Sequence, residues 1–189
     1  MGSGFVSKLT PTLPLDGFEK EWSDLTIKEY YIGELVSLAC VLGKESAFNT
    51  KFKSAFKKDP PKPNEMIEID GGYAIWSGQG QYMLLLLGEN IHADSYLQEK
   101  FKDTAYATLQ SDGWASLAVT GHSTFNVLER FIPLDIRGAP NNFAARTSAH
   151  HLAVIVLKFS DAEFQLLTPR SSAHSFLDGL VNTTKNVLG

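Results

Sequence analysis

The side chains able to do chemistry in this chain are few and scattered. Its five histidines are His92, His122, His150, His151 and His174. Only His150 and His151 are adjacent, and on a strand such neighbours point to opposite faces, so one ion is not readily chelated by both. The single cysteine, Cys40, sits in the apolar run 35–42 with no histidine near it, the setting of a small buried hydrophobe rather than of a thiolate nucleophile. A lone cysteine forms no intramolecular disulfide, which fits a reducing compartment and a cytoplasmic location. No G-x-S-x-G nucleophile elbow is present. Gly78-Gln79-Gly80 resembles the opening of a dinucleotide fingerprint, but an apolar strand follows it where a helix N-terminus would be needed to hold a pyrophosphate. These features assign no catalytic residue, no metal ligand and no cofactor to the chain.

Three polar residues in turn positions and one aromatic residue stand out as structural or interface candidates. Asp135 follows a helical segment and Pro133, where its carboxylate can act as a base, cap the loop backbone or pair with Arg137. Arg170 ends an apolar strand just before a helix start. Its planar fork can pair with a carboxylate such as Asp135 or Asp161, or grip an anion or a partner's carboxylate. Trp22 lies in a Pro- and Gly-punctuated stretch rich in apolar residues, which makes it a candidate anchor on a neighbouring surface.

The elements that must position these residues follow from periodicity. Residues 1–24 carry Pro11, Pro14 and Gly17 and keep no period, so they read as an extended arm. A strand is expected over 25–31 and a buried strand over 35–42. Ser46 can cap a helix whose Phe48, Phe52 and Phe56 form one inward stripe while lysines face out. Pro60 and Pro61 stop it. A hairpin follows, with strands over 73–76 and 81–87 around Ser77-Gly78-Gln79-Gly80, then a helix over 95–102 and a strand over 106–109. The second half brings a strand over 114–120 and a helix from Ser123 with Phe125, Leu128, Phe131 and Ile132 inward. A loop over 133–143, a hairpin of 151–159 and 163–168, and a last helix capped by Ser171 or Ser172 complete it.

The halves repeat. Ser37-Leu38-Ala39 recurs as Ser116-Leu117-Ala118, Ser46-Ala47-Phe48-Asn49 as Ser123-Thr124-Phe125-Asn126, and Tyr82-Met83-Leu84-Leu85 aligns with Phe164-Gln165-Leu166-Leu167. A period of about 80 residues seen twice is one supersecondary unit duplicated, not a solenoid. The expected fold is therefore α+β, with two split β-α-β (β-α-β-β-α-β) units, at about 25–110 and 111–189, sharing a single domain 25–189 whose helices cover antiparallel sheets. With 189 residues and 43% hydrophobic content the chain can bury such a core. A net charge of −4 argues against a nucleic-acid partner. Apolar runs such as 83–87 are far too short to span a bilayer.

Several of these segments resemble a known family. Val119-Thr120-Gly121, Val127-Leu128, Pro133-Leu134-Asp135-Ile136 and Leu166-Leu167-Thr168-Pro169-Arg170-Ser171, with Trp76-Ser77-Gly78 upstream, are similar to the gamma subunit of heterotetrameric sarcosine oxidase. The resemblance runs in order over about residues 25–182 and implies an aminomethyltransferase-like fold, since that subunit is a shortened relative of the folate-binding domain of the glycine cleavage system. It also implies a non-catalytic assembly role beside larger flavoprotein subunits, which carry FAD, FMN, NAD and the tetrahydrofolate site and oxidise sarcosine to glycine. Two alternatives share the fold: a free-standing folate-dependent one-carbon protein, and an adaptor of another demethylase or oxidase.

Overall fold

The computed structural model describes residues 12–87 and 93–189. Among them are eleven strands and four α-helices, in the order β1 (Glu19–Trp22), β2 (Leu25–Glu29), β3 (Glu34–Cys40), α1 (Glu45–Phe56), β4 (Met66–Ile69), β5 (Gly72–Gly78), β6 (Gln81–Leu86), α2 (Ala93–Lys100), β7 (Ala105–Leu109), β8 (Trp114–Gly121), α3 (Thr124–Phe131), β9 (Ala144–Ala149), β10 (Leu152–Ser160), β11 (Glu163–Pro169) and α4 (Ala173–Leu188). They form a six-stranded sheet, β1-β2-β8-β11-β10-β9, and a five-stranded sheet, β4-β5-β6-β3-β7. All neighbouring strands are antiparallel.

Strand alternation gives each sheet two apolar faces. On the larger sheet, Ile27, Leu117, Val119, Phe164 and Leu166 pack against Val127, Leu128 and Phe131 of α3 and Phe176 and Leu180 of α4. On the smaller sheet, Val36, Leu38, Leu84 and Ala74 pack against Phe48 and Phe52 of α1 and Leu97 of α2. The opposite faces meet each other, with Leu35, Met66, Ile75, Met83 and Leu85 against Ala144, Ile155, Leu157 and Leu167. The layers thus run helices, sheet, sheet, helices. The phenylalanine stripe of α1 forms as expected: Phe48 stacks on Tyr82 at 5.2 Å, Phe52 and Phe56 lie 4.8 Å apart, and all three surround Phe101.

The structure departs from the sequence expectation at several points. The strand expected over 25–31 belongs to the other half: β2 pairs with β8, not with β3. Residues 19–22 of the expected arm form the edge strand β1, and Leu15 is buried in the core of the larger sheet. Two short strands, β4 and β9, stand where the sequence assigned no element, and a bridge between Glu65 and Phe143 ties their starts together. Each is an edge strand, whose one-sided pairing leaves little period to read. The His150-His151 pair is not on a strand but forms the turn joining β9 and β10, with both residues at positive φ (48° and 66°). Ser123 precedes α3 without capping it; its hydroxyl instead donates to Asp24 Oδ2 at 2.5 Å. Neither Ser46 nor Ser172 makes a side-chain cap: α1 begins at Glu45, and Ser172 precedes α4 without such a bond. The sequence matches do not keep one register in the sheets: Leu38 lies opposite Tyr82, whereas Leu117 lies opposite Leu166 and it is Val119 that faces Phe164.

Candidate functional site

Two crossovers carry the chain from one sheet to the other, residues 30–33 between β2 and β3 and residues 110–113 between β7 and β8. They run side by side: Tyr30 N–H donates to Ser116 O at 3.0 Å, Leu35 N–H to Ser111 Oγ at 2.9 Å and Gln110 N–H to Leu35 O at 2.7 Å. The first crossover turns at Gly33, whose φ is 71° and where a Cβ would strike the Leu86 carbonyl oxygen, so only glycine fits. Between the crossovers lies a cleft of about 460 Å³, lined by residues 12–14, 29–33, 111–112, 114–116 and Arg170.

Glu29 anchors the wall of this cleft. It follows Leu25 and Ile27 on the buried face of β2 and is itself 4% exposed. Its two carboxylate oxygens accept the N–H groups of Leu15 (2.9 Å) and Gly17 (2.7 Å), so a buried anion is satisfied by backbone donors and pins residues 14–17 to the sheet. Arg170, exposed at the end of β11, donates from its guanidinium to Thr12 O at 3.1 Å. It therefore holds the chain just before the Glu29 anchor and pairs with neither Asp135 nor Asp161. Tyr30 and Tyr31 flank the cleft, 50% and 62% exposed, and Trp114 lies across from them, half-buried.

The other sequence candidates sit elsewhere. Asp135 accepts the Gly138 N–H at 3.0 Å and so closes its own loop. Arg137 does not pair with it but makes a bidentate contact with Glu129 at 2.8 and 3.0 Å and lies over the Phe125 ring. That contact holds the Glu129 carboxyl below its ordinary range and raises the guanidinium further. Trp22 packs against the core of its own domain, with Lys20 over its ring at 5.0 Å. The expected partner anchor thus covers its own sheet. Residues 5–9 of the arm lie outside the described residues. Cys40 is half-buried, and burial followed by the nearby Glu45 carboxylate pushes its thiol up, away from the thiolate form. Among the described residues no three metal-ligating side chains converge, and no helix is long and apolar enough to cross a membrane.

Sequence reasoning missed two anchors, and both left a signal. Lys158 is a lone cation in the apolar strand β10, 1% exposed; its ammonium donates to Ile136 O (3.2 Å) and Ala139 O (2.7 Å), meets Asp161 Oδ1 at 2.9 Å and faces the Phe125 ring at 5.0 Å. It thereby fixes the loop 133–143 to the sheet. Glu29 is a lone anion on the apolar face of β2. A charge on an otherwise buried face is the pattern to look for, because it must find partners inside.

The class of fold is thus α+β, with antiparallel sheets face to face and helices outside. No family model matches the sequence, and no curated protein matches it significantly. Solved structures do match. The chain is similar to a chain of heterotetrameric sarcosine oxidase from Corynebacterium sp. U-96, solved in complex with pyrrole 2-carboxylate, with a TM-score of 0.77 and 19% identity over 87% of this chain and 86% of that one. It is also similar to glycine cleavage system aminomethyltransferase T from Bartonella henselae, with a TM-score of 0.69 and 11% identity over 90% of this chain and 57% of that one. The fold is aminomethyltransferase-like, in agreement with the resemblance read from the sequence.

Proposed function

We propose that this chain is a non-catalytic assembly subunit of a hetero-oligomeric, cytoplasmic oxidase of the sarcosine oxidase type, seated on larger flavoprotein subunits that carry the flavins, NAD and tetrahydrofolate. Fold similarity to a chain of such an oxidase, extending over most of both chains, supports this reading. The observation that carries it is an exposed apolar edge. Leu42 is 94% exposed and Tyr106 66%. Tyr106 lies on the edge strand β7, opposite Ala39, and Leu42 in the turn that follows β3, where Val41 N–H donates to Thr104 O. Both leave apolar area in water at the open edge of the smaller sheet, where a partner chain could cover it.

The test is co-expression with candidate flavoprotein subunits, followed by purification through a tag on this chain. Co-purification that is lost in a Leu42→Glu, Tyr106→Glu variant with its fold intact is the expected result. Flavin absorbance or sarcosine turnover by the isolated chain would sink the non-catalytic role.

We also read the two sheets as copies of one unit. The orders β4-β5-β6-β3-β7 and β9-β10-β11-β8-β2 correspond, and both hairpins carry a register shift at matching places, Trp76/Gly78 and Lys158/Ser160. In this reading β2 takes in the second unit the place that β7 takes in the first. Superposing the two hairpins tests it, and unrelated strand paths on either side would refute it.

A further inference from the structure

We propose that the cleft between the two crossovers binds a small monocarboxylate with a flat aromatic body, and that Arg170 takes its carboxylate. A volume of about 460 Å³ lies within the range of small-molecule sites, and the walls offer ring surface from Tyr30, Tyr31 and Trp114. Adjacent tyrosines at 50% and 62% exposure leave aromatic area in water that a flat ligand would cover.

The charges set the ligand class. Arg170 is the only cation among the described lining residues, and Glu29 and Asp112 are the anions. Both oxygens of Glu29 are already engaged by Leu15 and Gly17. A single guanidinium in a cleft that Asp112 also lines suits a monoanion, whereas a dianionic phosphate would meet the carboxylates with too little positive charge to offset them. The present partner of Arg170, the Thr12 carbonyl at 3.1 Å, is neutral and hence a weaker acceptor than a carboxylate. A bound carboxylate therefore draws Arg170 from Thr12 and releases the chain there, while Glu29 keeps Leu15 and Gly17 in place. This site is independent of the assembly role, because it uses neither Leu42 nor Tyr106.

The experiment is a titration of the full chain followed by backbone and arginine side-chain NMR, with benzoate as probe, benzamide as its uncharged counterpart and inorganic phosphate as a generic anion. Benzoate is expected to saturate, binding about tenfold or more tighter than benzamide. The amides of residues 12 and 13 should shift while those of Leu15 and Gly17 stay. Arg170→Gln should bring benzoate down to the benzamide level, with Arg170→Lys in between. Tyr31→Ala, at an exposed position that leaves folding intact, should weaken benzoate and benzamide alike. Equal binding of benzoate and benzamide, phosphate binding as tightly as benzoate, or an Arg170→Gln variant that binds benzoate like the parent would each overturn the proposal.

Discussion

Replacing Lys158 by methionine isolates what holds the loop 133–143 in place. Methionine keeps most of the buried volume, so the loss falls on the ammonium and its partners. Two carbonyls lose their donor: Ile136 is fully buried and Ala139 half-buried. An unsatisfied buried acceptor costs roughly 1–3 kcal/mol, and the cation facing Phe125 adds about 0.5–1 kcal/mol. Removing the charge itself returns part of this, because a buried ammonium is costly to desolvate. The expected net loss is about 2–4 kcal/mol. Asp161, 76% exposed, contributes little by comparison, and Asp161→Ala should cost about 1 kcal/mol or less. Equilibrium urea unfolding of both variants measures the two numbers, and hydrogen exchange at residues 136–143 should speed up in Lys158→Met alone. An Asp161→Ala loss equal to that of Lys158→Met would show that the ion pair, not the carbonyl cage, fixes the loop, and would refute the argument.

Other perturbations read different parts of the frame. Glu29→Ala leaves the Leu15 and Gly17 N–H groups without their acceptor and should cost about 2–3 kcal/mol, with faster limited proteolysis within residues 12–18. Gly33→Ala puts a Cβ against the Leu86 carbonyl at a left-handed φ and should lower stability by a few kcal/mol in thermal unfolding. Because the Glu129 carboxyl lies below its ordinary range, the stability from its pair with Arg137 is present above the ordinary glutamate pKa and is lost as pH falls through the lowered one. In Arg137→Gln, an NMR titration should return Glu129 to the ordinary range. The Cys40 thiol, pushed up by burial and by Glu45, should react with a thiol reagent at neutral pH more slowly than a free thiol, and Glu45→Gln should narrow the gap.

The sequence by itself determined the elements whose residues carry a strong local period. The α1 phenylalanine stripe, the Gly78–Gly80 turn between β5 and β6, and the apolar runs of β3, β8 and β11 were all legible, because local geometry alone decides which face such residues present. Tertiary structure decided what depends on long-range pairing. That β2 joins β8 rather than β3 turns on an edge formed about 90 residues further along the chain, and no local signal encodes it. The short edge strands β4 and β9 acquire their conformation from one neighbour each. Arg170 meets the Thr12 carbonyl and Trp22 packs on the core of the larger sheet, contacts set only when the residues from Thr12 onward fold back over that sheet. Glu29 and Lys158 show the division most plainly. The sequence marks each as a charge on an apolar face, and only the fold brings up the backbone groups that make such burial affordable.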